Sequence, residues 1–328
     1  MNNILITGIT GQDGIFLTSK LLKQKNKIIF GLSRNKHSKY LIDSLKSLGV
    51  NDISNLKLIQ NDLLDINSVE SLILKIKPTT IYNFTGPSSV YNSLLDDGIS
   101  KEQIIKIFDN LISASMKLKT LPIFFQASSS EMFGPGHNKL LNEESEFNPI
   151  SPYAEAKLAN HNKVLDFSKR YNWNIKSGIM FNHESEFRKD NYLFSKVIKS
   201  VIEINNGIRK TLTVGSLDYE RDWTFAGDIV EAINLVVNDS KKSTYVIGSG
   251  YSNKIKDLIQ ITFEYFDLDW ERYVKTDKSL LRKNDPISIV SDPTLIKSEL
   301  NWKPKLTFQE LIERCINFEV RAKNSKNK

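Results

Sequence analysis

One cysteine in 328 residues, Cys315, leaves no second thiol for an internal disulfide, so nothing here argues for an oxidising compartment. It lies within Leu311-Ile-Glu-Arg-Cys-Ile-Asn-Phe318, an amphipathic helical pattern that reads as core rather than as a nucleophile. No apolar run reaches the length of a membrane span. The chain opens on strand-like Asn3-Ile-Leu-Ile-Thr7 rather than on a charged region and a long apolar segment, so a soluble cytoplasmic protein is expected. The four histidines, His37, His137, His161 and His183, are scattered without ligand spacing, which argues against a metal site. Lys plus Arg exceed Asp plus Glu by seven (45 against 38), yet no stretch interleaves basic and aromatic residues as nucleic-acid binders do. Part of the excess sits in Arg321-Ala-Lys-Asn-Ser-Lys-Asn-Lys328, read as a solvated tail. The remaining positive balance suits a phosphorylated ligand.

A composition of 40% apolar and 10% aromatic residues belongs to a globular chain, and its length allows one large core or two domains. Asn3 to Thr7 ends in Gly8-Ile-Thr-Gly11-Gln-Asp-Gly14, and Ile15 to Lys23 then has helical apolar spacing. Glycines at 8, 11 and 14 between a strand and a helix give a tight turn, close backbone approach to a phosphate and close helix–sheet packing. Thr10, Gln12 and Asp13 fall inside that turn and are cofactor-binding candidates with it.

The second strand, Lys27-Ile-Ile-Phe-Gly31, runs on to Arg34-Asn-Lys36 with no acidic residue. An acid there selects a free 2′-hydroxyl and a base a 2′-phosphate, so the expected cofactor is NADP, with Arg34 on the phosphate. A third strand, Leu56 to Gln60, leads to Asp62 and Leu63 at an adenine edge. A fourth, Thr80 to Phe84, ends at Gly86 with Ser88 just beyond it. Strands alternating with helices and no hairpin signals predict an α/β, Rossmann-type doubly wound parallel sheet over residues 1–180, whose ligands bind beyond the carboxyl ends of the strands. From about residue 181 the alternation turns irregular. A smaller, mainly helical substrate lobe, 181–328, is expected, with segments of about 212–247 returning to the sheet.

The fifth strand, Leu121 to Phe125, continues into Gln126-Ala-Ser-Ser-Ser-Glu131, and Ser151-Pro-Tyr-Ala-Glu-Ala-Lys157 follows. If Pro152 opens a helix, Tyr153 and Lys157 leave one face a turn apart, and an ammonium beside a phenol lowers its pKa from about 10. If the strand continues through them, Ser129 and Glu131 point to the same side. By itself a Tyr and a Lys four apart on a helix is most often a solvated pair. What sets this pair apart is that the glycine turn, Arg34, Asp62, Gly86 and Ser129 all fall at strand carboxyl ends.

These residues resemble the extended short-chain dehydrogenase/reductase family, and within it the GDP-mannose 4,6-dehydratase family. The resemblance covers nearly the whole chain. It rests on Thr7-Gly-Ile-Thr-Gly-Gln-Asp-Gly14, Gln126-Ala-Ser-Ser-Ser-Glu131, Ser151 to Lys157, Phe181-Asn-His-Glu-Ser185, Arg221-Asp-Trp223, and Asp292-Pro-Thr294 leading into Leu300-Asn-Trp-Lys-Pro304. It implies Tyr153 as the base at the sugar 4-hydroxyl, Lys157 on Tyr153 and the nicotinamide ribose, Ser129 on the 4-oxygen, and Glu131 as the acid/base of water elimination. It also implies His183 and Arg188 at the cofactor, a reading that for His183 competes with a structural loop histidine. Asn182, Lys196, Arg221 and Arg282 are implied at the diphosphate of a GDP-sugar, in a homodimer or homotetramer. A heptose in place of mannose, a GDP-4-keto-6-deoxy-sugar reductase, and a non-catalytic NADP-sensing protein stay open as alternatives.

Overall fold

The structure, a computed structural model, describes residues 2–24, 26–33, 38–86, 93, 98–137, 139–281 and 284–326. Six strands alternate with helices through the first 180 residues: β1 (Asn2–Thr7), β2 (Lys27–Ser33), β3 (Leu56–Gln60), β4 (Thr80–Asn83), β5 (Ile123–Ser129) and β6 (Ile175–Met180). A seventh, β7 (Thr244–Ile247), comes back later to the edge beside β6. The sheet order is β7-β6-β5-β4-β1-β2-β3, and every neighbouring pair is parallel, the Rossmann-type architecture expected from the alternation. All six residues of β6 are buried. A strand hidden on both faces requires helices on both faces.

Those helices are α1 (Gln12–Leu22), α2 (Lys39–Ser47), α3 (Ile66–Ile76), α4 (Ile99–Ser115), α5 (Pro152–Tyr171) and, beyond α6 (Leu193–Asn205), which packs elsewhere, α7 (Ala226–Asp239). Ile15, Leu17 and Leu21 of α1 join Leu41 and Leu45 of α2 and Ile229, Ile233 and Val236 of α7 in one core. Val69 and Ile73 of α3, Phe108 and Leu111 of α4, and Val164 of α5 join the core of the opposite side. A further core unites Phe194, Val197 and Val201 of α6 with two late helices, α8 (Ile255–Glu264) and α10 (Phe308–Lys326), the short α9 (Thr294–Leu300) lying between them in the chain. Cys315 belongs to that core at 3% exposure, and burial pushes its thiol pKa well up, which removes it as a nucleophile.

Beyond β6 the chain contains short strands that periodicity cannot register. His183–Glu184, expected as loop, pairs in parallel with Thr224–Phe225. Leu212–Val214 pairs with Val274–Thr276, so from the 212–247 stretch it is α7 and β7 that pack on or join the large sheet. The solvated tail expected from Arg321 is instead helical backbone through Lys326, a continuation of α10. Among the described residues no helix is long and apolar enough to cross a membrane.

The β1-to-α1 turn has no room for side chains. Gly8 has φ +68°, and a Cβ on Gly14 would lie 2.6 Å from the Ile9 Cα and 2.7 Å from the Gly8 carbonyl oxygen. Backbone atoms cannot rotate away as a side chain can. Gly14→Ala is therefore expected to cost about 1–3 kcal/mol of overpacking, read as a lowered urea or thermal unfolding midpoint. A midpoint equal to the parent chain's would contradict this turn geometry.

Candidate active site

Helix α1 starts at Gln12, and Gly11 caps it without a side chain, so the first turn's N–H groups have no intrahelical partner and face the strand ends. This is the geometry that receives a phosphate. Two further features suit a dinucleotide laid across these ends. Thr85 Oγ1, next to Gly86, and Asn61 Oδ1, next to Asp62, are buried without a hydrogen-bond partner among the described residues. The turn after β3 is fixed locally: Asp62 accepts the Leu64 N–H at 3.0 Å, and buried Asn110 donates to the Leu63 and Leu64 carbonyls at 2.9 and 3.0 Å. Arg34, Lys36, Ser88 and Arg282 lie outside the described residues.

Across the switch in strand order, a buried polar chain joins three strand ends. Thr7 donates to Asn83 at 2.7 Å, Asn83 to Gln126 at 2.8 Å, and Gln126 to the Ala127 carbonyl at 2.9 Å. The same carbonyl accepts Lys157 Nζ at 2.8 Å. Ser151 caps α5 by accepting the Ala154 N–H at 3.1 Å, and Pro152 sits in its first turn, as the motif predicts. Tyr153 and Lys157 are consequently on its buried face, 8% and 6% exposed.

β5 stops at Ser129. A single 3-10 turn, Ser130–Met132, follows, and the Ser129 hydroxyl accepts the Glu131 N–H at 3.3 Å. The strand alternation expected to align Ser129 with Glu131 does not extend that far, and Glu131 reaches the site from the turn. Even so, Ser129, Glu131, Tyr153 and Lys157 line one cavity of about 600 Å³, with the Tyr153 phenol hydrogen-bonded to Ser129.

The electrostatics depart from the expectation for the phenol. Burial raises the Tyr153 pKa above its ordinary value, and the Ser129 hydrogen bond and the Arg188 charge only partly offset this. Lys157 is not the lowering influence, because its ammonium is directed at the Ala127 carbonyl and lies 5.6 Å from the Tyr153 ring centroid. Burial also brings Lys157 itself down to about 8, against the pull of Asp13.

The motifs Gly11-Gln-Asp-Gly14 and Phe181-Asn-His-Glu-Ser185 prove to be halves of one contact. Gln12 Nε2 donates to the His183 carbonyl at 2.8 Å, Ser185 Oγ donates to Gln12 Oε1 at 2.8 Å, and Asp13 Oδ1 lies 3.0 Å from His183 Nε2. Gln12, 6% exposed, thus has both ends of its side chain engaged by protein. Both contacts fix the 183–185 segment. Arg188 lines the cavity, 2.9 Å from buried Glu184 and stacked with its guanidinium carbon 3.7 Å from the Tyr192 ring centroid.

Asn182, Lys196 and Arg221 also line the cavity. Lys196 is exposed and donates to the Thr213 carbonyl at 3.1 Å. Arg221 is buried: it donates to the Pro286 carbonyl at 2.9 Å and to Asp285 at 3.0 Å, so the contacts seen here fasten the 284–289 segment. Asp222 beside it was missed by sequence reasoning. Fully buried, it accepts from Ser249 N and Oγ at 2.8 and 2.6 Å, from Gly250 N at 3.0 Å and from Ser291 N and Oγ, binding two distant segments at one carboxylate. Glu184 and Tyr192 were missed as well. Glu184 was visible only as the residue after His183 in the quoted motif, and Tyr192 carried no signal.

A sequence model of a family described as GDP-mannose 4,6 dehydratase matches residues 5–315. GDP-mannose 4,6 dehydratase 1 of Arabidopsis thaliana is 31% identical over 324 residues, covering 96% of this chain and 89% of its own. Among solved structures, dTDP-glucose 4,6-dehydratase from Bacillus anthracis in complex with NAD superposes with a TM-score of 0.84 at 18% identity, over 99% of this chain and 98% of the other. RMD from Pseudomonas aeruginosa, complexed with NADPH, gives 0.80 at 19%, over 98% and 100%. At such identities the structures speak to the fold.

His161, one turn beyond Lys157 and 2% exposed, contacts Ser177 Oγ at 2.8 Å through Nδ1, and Ser177 contacts Ser128 at 2.8 Å. Burial brings its pKa down to about 4, whereas unfolding restores about 6.5. The unfolded chain therefore binds the extra proton between those values. The group's contribution, about 3 kcal/mol, is complete above about pH 6.5 and lost as pH falls to about 4. Urea unfolding of His161→Asn is expected to show a flatter acid limb across that window; a limb as steep as the parent's would contradict it.

Proposed function

The chain belongs to the GDP-mannose 4,6-dehydratase family, and on that premise we propose that it converts GDP-mannose to GDP-4-keto-6-deoxymannose in the cavity bounded by Ser129, Glu131, Tyr153 and Lys157. The observation that carries this reading is the second acid/base. A simple alcohol oxidation needs one proton acceptor, the phenol, whereas Glu131 in the same cavity supplies the separate carboxylate that elimination requires.

In this reading Tyr153, oriented by Ser129, takes the proton from the sugar 4-hydroxyl. Glu131 removes the C5 proton, acidified by the new 4-ketone, and delivers it to the C6 hydroxyl, which leaves as water. The proton taken from O4 balances the one returned to C5. A bound nicotinamide cofactor supplies the hydride acceptor for C4 and the donor for C6, and brings a positive charge while oxidised. Such a charge favours the phenolate that burial of Tyr153 opposes. Arg188 adds to it from the chain, while the Lys157 ammonium is held on the Ala127 carbonyl.

NADP is the proposed form, supported by the lack of an acid after β2 and the presence of Arg34 and Lys36. The glycine turn, Asp62, Leu63 and Gly86 lie along its path, with Ser88 beyond. Asn182, Lys196, Arg221 and Arg282 are proposed for the diphosphate side of the GDP-sugar. Residues 1–180 with α7 and β7 would form the cofactor domain and the remainder the substrate lobe, in a cytoplasmic homo-oligomer.

Incubation with GDP-mannose and catalytic NADP is expected to yield a product lighter by about 18 Da, one water, without net NADPH. Tyr153→Phe should lower kcat by about 10²–10⁴-fold, the usual contribution of a general base, and Glu131→Gln should block water loss by a similar factor. Ordinary turnover in either variant would exclude these roles. Net NADPH consumption with a 4-keto sugar would indicate a reductase, and activity on GDP-heptose alone would change the sugar.

A further inference from the structure

Each ring nitrogen of His183 meets an oxygen that can only accept. Nδ1 lies 2.7 Å from the Phe181 carbonyl oxygen and Nε2 lies 3.0 Å from Asp13 Oδ1. A neutral imidazole carries one N–H and could satisfy only one of them; the imidazolium carries two. From these contacts we infer that His183 is a fixed imidazolium, and that Asp13 is a positioning residue that holds its ring and its charge at the cavity wall. This places both residues differently from a cofactor contact through hydrogen bonds: with both N–H groups engaged, His183 presents charge and a ring face, not a donor.

The surroundings are consistent with a stable ion pair. The two side chains are 12% and 17% exposed, so water screens them little. Burial alone would discharge the imidazole, but the charge of Asp13 and its hydrogen bond outweigh burial and raise the pKa of His183; burial likewise opposes ionisation of Asp13, and His183, Arg188 and Lys157 reverse that. The charged groups facing the pair are Arg188 and Glu184 from the segment after β6 and Lys157 from α5, with Tyr153 and Glu131 across the cavity. Counting Lys157, Arg188 and His183 against Asp13 and Glu184 leaves 3 − 2 = +1 at this wall; a neutral His183 would leave zero. Gln12 holds the His183 main chain from the next residue of the same turn, so charge and position are set together.

The inference rests on the site proposed above, but its test needs neither substrate nor cofactor. In the full chain labelled with 15N-histidine, the His183 ring, assigned by comparison with His183→Gln, is expected to show two protonated nitrogens at pH 7, so a titration midpoint above about 7, beyond the ordinary value of about 6.5. Asp13→Asn should lower that midpoint by about one unit or more, the usual effect of an opposite charge in contact. A neutral tautomer in the parent chain at pH 7 would overturn the inference without any variant, and so would a midpoint unmoved in Asp13→Asn. Neither result depends on whether GDP-mannose is turned over.

Discussion

The contact between the glycine turn and the 183–185 segment is the constraint on which the site depends. Gln12 and Asp13 leave the first turn of α1, where backbone N–H groups face the cofactor path, and take hold of His183 and Ser185 some 170 positions later. A hydrogen bond between neutral groups is worth about 0.5–1.5 kcal/mol net and one to a charged group about 1.5–3, and losing one buried partner exposes the other to the full desolvation cost. The segment so fixed carries Arg188, which stacks on Tyr192 and pairs with Glu184. A second fixed point, buried Asp222, gathers the loops at 249–250 and 291 next to Arg221, which lines the cavity.

Burial governs the chemistry as much as proximity does. Removing the Tyr153 phenol and the Lys157 amine from water disfavours the charged form of each, so the pair by itself holds less phenolate near neutral pH than an ammonium beside a phenol in water would. The charges that favour the phenolate lie elsewhere, on Arg188 and on an oxidised nicotinamide when one is bound.

Much of this was legible in the order of residues. Near-continuous apolar strands alternating with helices required a parallel sheet, Pro152 placed Tyr153 and Lys157 on one helix face, and the crowding at Gly14 follows from the spacing of the glycine turn. What failed did so where a short-range rule was overruled. Alternation along β5 ended one residue after Ser128, at Ser129, because the chain turns there, so Glu131 arrives from a 3-10 turn. Two-residue strands such as His183–Glu184 have no period to detect. The partners of Arg221 and Asp222 lie about 30 to 70 positions away, and no pattern along the chain encodes such pairings. The motifs quoted for the family resemblance, in contrast, marked both halves of the Gln12 and Asp13 contact without disclosing that they touch.

The central claim is that one cavity oxidises C4, eliminates water across C5–C6 and returns the same hydride to C6, with Tyr153 and Glu131 dividing the proton transfers. GDP-mannose deuterated at C4 tests it most directly. If the claim holds, one turnover with unlabelled NADP gives a 4-keto-6-deoxy product whose deuterium resides at C6 of the same molecule. Deuterium lost to solvent, left on released cofactor, or retained at C4 of an undehydrated sugar would contradict it.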